Sequence, residues 1–366
     1  MIVVPSAHVK GGGDVWLSEL VKALVPIQIS LIVIFENNGE LINIVQSAGH
    51  KVYVLTNKPQ ESKSFLRLAL SLSKVIRLEQ PDAVIHWSPR AQVYGTLAQK
   101  IAFTHTRVGW IQHVIPSRFW LHRAASFCPS NIVICVSTSV AKKQKLLYPK
   151  TQPVVLHPGI SHKNNGLDKH KILDELGIDG NQYIVGSLAR IEPWKGQDIL
   201  ISSVGMLRSQ GLPVHAILVG EENSLTWPDF SNQVHKLISQ GSLVSNITFT
   251  GHLNDVQRII MAFDVFVCSS REEGFGISII DAMASGIPVV ATRCGGPEDI
   301  IEHERNGLLV KQEDPVALAA AIQRINEDSS LVHKIIKEGK ITYQERFTAT
   351  HSAASFLNVI HKLIAL

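Results

Sequence analysis

Two α/β domains, each a doubly wound parallel sheet, are expected from this chain on three grounds. Apolar β-branched runs alternate with helix-period segments along the whole sequence, the pattern of parallel strands covered by helices on both faces. The length, 366 residues, exceeds what one domain of about 150 residues accounts for. The composition, 45% hydrophobic and 18% charged, supplies two sizeable cores and excludes a disordered chain.

In the first half, strands are expected at Ile2–Pro5, Ile29–Phe35, Val52–Leu55, Ala83–His86, Arg107–Gln112, Ile132–Val136 and Val154–Leu156. Helical patterns lie between them near 14–24, 40–48, 61–79, 90–102, 118–127 and 138–147. In the second half the strands are Tyr183–Leu188, Val214–Val219, Ile247–Thr250, Val265–Cys268, Pro288–Ala291 and Gly307–Val310. Helices near 196–210, 231–240, 254–262, 277–285, 297–302 and 314–327 intervene. The alternation weakens between His157 and Gln182, where His157-Pro158-Gly159 and Lys163-Asn164-Asn165-Gly166 are turn-rich. The domains are therefore drawn as 1–160 and 161–350, facing each other across a cleft, with a last helical pattern at 351–366 packing back on the first.

Four cysteines, none in a Cys-x-x-Cys pair, are too few for a disulfide framework and give no structural zinc pattern. The start, Met1-Ile-Val-Val-Pro5, has no basic leader pattern, and the most apolar stretch, Ala23 to Phe35, is broken by Pro26, Gln28 and Ser30. A cytoplasmic protein in a reducing compartment is expected.

The net charge of +4 hides an asymmetry: residues 1–155 balance at +10 and the rest at −6. The basic half is suited to an anionic surface, a phosphorylated acceptor or plain solvation. Nucleic acid fits poorly, because the basic residues are scattered over helical patterns without a binding motif.

In doubly wound sheets ligands bind beyond the carboxyl ends of the strands, so those loops carry the candidates. Lys10-Gly11-Gly12-Gly13-Asp14 follows the first strand, and the amides of Gly12 and Gly13 could approach an anion or a sugar, although a tight turn alone explains them too. Arg190, at the end of the strand closing at Leu188, and Lys195, expected at the start of the next helix, could clamp a diphosphate from two sides, although two solvated basic residues on a loop would also explain them. Glu273-Gly274-Phe275-Gly276-Ile277, after Cys268, opens a helix whose first amides make a phosphate site. Glu273 and Asp281 would repel a phosphate and are better suited to accept from hydroxyls, which points to a sugar phosphate. Gly295-Gly296-Pro297-Glu298 reads equally as a site or as a helix cap.

The Arg190…Lys195-Gly196 pair, the Glu273–Gly276 run with Asp281-Ala282-Met283-Ala284-Ser285-Gly286, and Gly295-Gly296…Glu298 resemble the retaining GT-B glycosyltransferases, more narrowly the large "group 1" family that uses nucleotide-diphosphate sugars. The similarity is specific from about Tyr183 to Pro315. The resemblance implies that Arg190 and Lys195 meet the diphosphate and Glu273 the donor hexose. Gly276 and Ile277 would meet the distal phosphate, and Asp281, where the family usually has Glu, the ribose. The base would sit near Gly251–Leu253. It implies an active-site histidine at His113, with His86 in reserve. Catalytic roles thus fall to His113 and Glu273. The donor-binding set is Gly12, Gly13, Arg190, Lys195, Leu253, Glu273, Gly274, Phe275, Gly276, Ile277 and Asp281.

Downstream of His113, Phe119, Trp120, Ala124 and Phe127 can share a helical face, with Arg118 and Arg123 alongside and Lys142, Lys143 and Lys145 on the next helix. Basic plus aromatic residues suit a lipid-diphosphate acceptor at the inner face of the plasma membrane, while the aromatic face alone could equally be core. The reading as a whole is a retaining transfer of a hexose from a UDP- or GDP-sugar, a substrate rather than a cofactor, to a glycan or lipid-linked saccharide in polysaccharide biosynthesis. It uses no metal and no nucleic acid. Alternatives are a nucleotide-sugar epimerase or hydrolase of the same architecture, or a non-catalytic sugar-nucleotide binder.

Overall fold

The computed structural model describes residues 1–9, 11–27, 29–56, 64–162, 168–222, 224–253 and 255–366. Lys10, the turn Lys163–Gly166, Asn254 and the start of the helical pattern drawn at 61–79 lie outside the described residues. The chain divides into two compact units, Met1–Ser161 with Thr348–Leu366, and His162–Phe347.

The first unit holds a parallel sheet of β1 (Ile2–Val4), β2 (Ile32–Phe35), β3 (Lys51–Val54), β4 (Ala83–His86), β5 (Arg107–Gln112), β6 (Ile132–Cys135) and β7 (Pro153–Val155). Their spatial order is β3-β2-β1-β4-β5-β6-β7. The central strands are buried along their whole length, which requires cover on both faces. That cover comes from α1 (Gly12–Ala23), α2 (Glu40–Ser47), α3 (Phe65–Glu79), α4 (Pro89–Ala102), α5 (Trp120–Phe127) and α6 (Thr138–Leu147). Serines cap the crossovers: Ser88 Oγ accepts from the Ala91 amide at 3.1 Å with Pro89 next in line, and Ser137 does the same for α6. The first unit is completed by α15 (Ala349–Ala365). Trp16 of α1 donates to Ser352 Oγ at 2.9 Å, and Ser352 donates to the His157 carbonyl at 3.1 Å. Gly109 in β5 makes room for the side chains of Ile85 and Ile132 on the flanking strands, which a Cβ would meet at 2.8 and 3.0 Å, with Leu363 of this helix at an ordinary 3.4 Å.

The second unit is built the same way from β8 (Tyr183–Leu188), β9 (Val214–Val219), β10 (Ile247–Gly251), β11 (Val265–Cys268), β12 (Val289–Thr292) and β13 (Leu308–Val310), in the order β10-β9-β8-β11-β12-β13. Its helices are α7 (Lys169–Glu175), α8 (Gln197–Ser209), α9 (Pro228–Gln240), α10 (Val256–Ile260), α11 (Ile277–Ser285), α12 (Pro297–Ile300), α13 (Pro315–Glu327) and α14 (Ser329–Arg346). One core cluster gathers Val185, Val267 and the alternate residues Val214, Ala216 and Leu218 of β9 on one face of the sheet, under Leu200, Val204, Val234 and Ile322 of the helices. In each sheet the strand order reverses beside the first strand of the unit, between β1 and β4 and between β8 and β11. The loops after these strands are the topological switch points.

The structure departs from the sequence reading in three places. The second strand begins at Ile32, not Ile29, because its neighbours begin in register with Ile32 and Val33, and of residues 29–31 the Leu31 carbonyl accepts from the Lys51 amide at 3.2 Å at the very edge of the ladder. Two helices, α7 and α14, were not anticipated, and Gly339 explains part of the second. Gly339 sits mid-helix facing Met283 of α11, where a Cβ would make only ordinary contact at 3.4 Å, and its low helix propensity weakens the helical pattern of the sequence. Lys195 is not at a helix start: it ends a 3₁₀ turn, Pro193–Lys195, and α8 opens two residues later.

In β8, a Cβ on Gly186 would lie 2.0–2.2 Å from the ring of Phe263. Gly186→Ala is expected to cost about 1–3 kcal/mol by overpacking. Denaturant unfolding checks this, and a cost below about 0.5 kcal/mol would mean the ring moves aside freely.

Candidate functional site

Two loops of the second unit meet at its switch point. After β8 the chain runs through Arg190 and the 3₁₀ turn to Gly196, which adopts φ 66°. A Cβ at Gly196 would stand 2.1 Å from the Ser269 carbonyl, so only glycine permits the turn to sit on the loop after β11. Ser269 Oγ in return donates to the Lys195 carbonyl at 3.1 Å. This contact brings Lys195 Nζ to 2.5 Å from Glu273 Oε2, with both side chains mostly buried. Burial lowers the Lys195 pKa, but the charge and hydrogen bond of Glu273 outweigh it, and the net shift is upward. The ammonium therefore stays charged through neutral pH and keeps two further N–H donors.

Three residues past Glu273, Gly276 takes φ 108° and opens α11 with Ile277. The Ile279 amide already donates to the Gly276 carbonyl at 2.9 Å, so the amides of Ile277 and Ser278 are the ones without an intrahelical acceptor, and they make a site for an anion beside a lysine. Gly274 lies in the turn between. Phe275 is buried, its ring 5.6 Å from that of Phe347, so its side chain belongs to the core and only its backbone faces the turn. Gly296 is packed so tightly on this turn that a Cβ would be 2.3 Å from Phe275 Cα, and the Gly295 amide donates to Glu298 at 2.9 Å. The Gly295-Gly296 motif thus supports the site loop and caps α12. Asp281, in the second turn of α11, is buried and accepts from Gln257 of α10 at 3.4 Å. Arg190 is exposed and pairs with Glu192 at 2.9 Å. Leu253 is half-buried after β10, near the Gly220 amide that donates to the Gly251 carbonyl at 3.0 Å.

In the first unit, His113 follows β5. Its ring lies 5.7 Å from Trp16 and 5.2 Å from Trp87, and a Cβ on Gly13 would stand 3.2 Å from its Nδ1. Gly12 and Gly13 are the first residues of α1, and the Gly13 carbonyl accepts from Trp87 Nε1 at 3.2 Å. Glycine here makes room for the imidazole. Burial pulls the His113 pKa down to about 4 against a hydrogen bond to the Trp87 backbone, and Nε2 is shut from water without a partner. The residue is therefore a neutral imidazole at pH 7, fit to bond a hydroxyl rather than to act as a cation. His86 is a different case. It is fully buried, bonded to Gln92 at 2.6 Å, and roofed by Gly95, where a Cβ would lie 2.1 Å from its Nε2. It is a core histidine, so the reserve assignment falls.

The aromatic face of α5 is not core. Phe119 and Trp120 are each 56% exposed and Phe127 74%, and Arg118 and Arg123 are exposed beside them. Trp120 leans edge-on against Phe65 of α3 at 6.2 Å. Lys142 and Lys143 of α6 are exposed, whereas Lys145 bonds the Thr151 carbonyl at 3.2 Å. Among the described residues no helix is long and apolar enough to cross a membrane, and no group of three or more His, Cys, Asp or Glu is placed to hold a metal ion.

Residues 168–342, nearly all of the second unit, match the family described as glycosyl transferases group 1. The chain carries a group 1 glycosyltransferase domain. Over most of its length this glycosyltransferase is similar to the lipopolysaccharide core biosynthesis glycosyltransferase LpsE of Rhizobium meliloti, at 27% identity over 80% of this chain and 79% of that one. It is also similar to the capsular polysaccharide biosynthesis glycosyltransferase CapM of Staphylococcus aureus, at 26% identity over 78% and 77%. The crystal structure of Anabaena Alr3699/HepE in complex with UDP and glucose shares its fold, with a TM-score of 0.84, 24% identity and 98% of both chains covered. The architecture is GT-B.

Trp16 and Trp87, which enclose His113, were not singled out from the sequence. Trp87 directly follows the strand-end His86, and that adjacency was the available signal. The two buried histidines give a pH test. Both have pKa values near 4 in the folded protein against an ordinary 6.5. Unfolding therefore takes up protons, and stability is lost as pH falls from about 6.5 toward 4. The thermal midpoint should drop over this window, with a shallower slope in His86→Gln; equal slopes would contradict the assignment.

Proposed function

We propose that this glycosyltransferase moves a hexose from a nucleoside-diphosphate sugar, UDP- or GDP-linked, to a glycan or lipid-linked saccharide in polysaccharide biosynthesis, with retention at the anomeric carbon. The observation that carries the reading is the Lys195–Glu273 pair set beside the Gly276 opening of α11. It joins a cation, a hydroxyl acceptor and free backbone amides, which is what a sugar diphosphate needs. The names of LpsE and CapM support a polysaccharide acceptor, and the UDP and glucose of the HepE complex support the donor class.

In this reading Lys195, Arg190 and the amides of Gly276 and Ile277 bind the diphosphate and stabilise the charge that grows on it as the glycosidic bond breaks. These fixed positive groups fill the role that a metal ion plays elsewhere, and no cofactor is needed. Glu273 accepts from hexose hydroxyls, Asp281 from the ribose, and backbone near Leu253 meets the base. His113, neutral, is the imidazole given the catalytic role of bonding a sugar hydroxyl. The acceptor hydroxyl attacks the face from which the diphosphate leaves.

A thermal-shift screen against UDP, GDP, ADP, dTDP and CDP without added metal tests the donor site. A nucleotide at 100 times its Kd adds about 2.7 kcal/mol and should raise Tm by several degrees. Turnover of the matching radiolabelled sugar then separates enzyme from binder, and Glu273→Ala or His113→Ala should abolish transfer. No shift with any nucleotide, or full activity in either variant, would sink the assignment.

The exposed Phe119, Trp120 and Phe127 with Arg118, Arg123, Lys142 and Lys143 support peripheral attachment at the inner face of the plasma membrane. Each basic residue near an anionic surface contributes about 1 kcal/mol. The double variant Lys142→Glu/Lys143→Glu should therefore sediment far less with phosphatidylglycerol vesicles than the parent. Unchanged sedimentation would remove the membrane from the reading.

A further inference from the structure

The Lys195–Glu273 pair is built from two loops that approach each other from different strands, so something must hold those loops in register. Arg271, two residues before Glu273, spends every guanidinium donor on doing so. Its Nη1 donates to the Pro193 carbonyl at 2.6 Å and to Asp198 Oδ1 at 2.9 Å, and its Nη2 to Asp198 Oδ2 at 2.7 Å. Its Nε bonds Glu313 Oε1, and Nη2 also reaches Glu313 Oε2 at 3.2 Å. The backbone joins in: the Arg271 amide donates to the Trp194 carbonyl at 2.7 Å, and Gln312 Nε2 donates to the Arg271 carbonyl at 2.7 Å.

These contacts reach three segments. Pro193 and Trp194 form the turn that ends in Lys195, Asp198 lies in the first turn of α8, and Gln312 and Glu313 follow β13. Asp198 is buried and Arg271 only partly exposed, so the bidentate pair is shielded from solvent. A lysine has three donors on a single nitrogen and cannot span this planar fork.

We propose that Arg271 is a positioning residue for the donor site. Held by Asp198 and Glu313, it fixes the turn carrying Lys195 against the loop carrying Glu273, and so sets the geometry in which the diphosphate and the hexose are gripped. It does not touch the substrate. The inference rests on the donor-site reading above.

The test compares Arg271→Lys and Glu313→Gln with the parent, using the free nucleoside diphosphate that shifts the parent's Tm as the calorimetric probe and a radiolabelled sugar donor for kinetics. Arg271→Lys keeps the charge and loses the fork. It should weaken nucleotide binding and raise the donor KM by about tenfold, equivalent to about 1.4 kcal/mol. The acceptor KM should stay within about twofold, since the acceptor is bound elsewhere. Glu313→Gln, which loosens one arm, should fall between the two. Arg271→Ala, if it folds, should regain donor affinity when free guanidinium is added at millimolar concentration. Nucleotide affinity and donor KM unchanged in Arg271→Lys would overturn the proposal, whatever happens to Tm. So would a parallel loss of donor and acceptor parameters, which would mark a merely structural role. A parent that binds no nucleoside diphosphate would overturn the donor site itself, and this inference with it.

Discussion

A parallel strand cannot return to its neighbour by a hairpin, and this constraint governs the rest of the molecule. Each crossover must climb a helix and re-enter the sheet from the same end. All loops at the carboxyl edge are therefore gathered together, and at the switch points two of them diverge to opposite faces and leave a crevice. In the second unit the turn after β8 and the loop after β11 meet there, and that is where Lys195 and Glu273 pair. In the first unit the loops after β1, β4 and β5 supply Gly13, Trp87 and His113 in the same manner. The two sites owe their positions to one rule of chain connection.

The electrostatics of the two sites are opposite in kind. Lys195 is held charged by a carboxylate strong enough to overcome its burial, whereas His113 has no carboxylate beside it and burial wins. The site of the second unit thus carries a permanent positive charge, and that of the first unit an uncharged hydrogen-bonding ring within an aromatic enclosure. Neither group depends on a proton exchanged near pH 7, so both keep their form across the ordinary physiological range.

Most strands were legible in the sequence because burial on both faces writes continuous β-branched runs such as Ile-Val-Ile-Phe in β2 and Val-Phe-Val-Cys in β11. The glycines at 196 and 276 were legible as site loops, and each does take a left-handed conformation or a contact that excludes a Cβ. What was hidden depends on partners distant in sequence. Arg271 finds Asp198 at a separation of 73 residues and Glu313 at 42, and nothing local announces either. The helix α14 was hidden for a different reason, since Gly339 interrupts its pattern with a poor helix former. The core role of His86 needed Gly95 and Gln92 to be seen around it.

The return of the chain to the first unit at Thr348 has a consequence for biosynthesis. The second unit is one continuous segment, complete once Phe347 has been made. The first unit is not: Trp16 waits for Ser352, and β5 waits for Leu363, until the final helix leaves the ribosome. The half that is translated first is the half that is finished last. During synthesis, the patch on α1 and β5 that this helix covers therefore stays exposed while the later half can already fold, an interval in which a nascent chain has reason to meet a chaperone.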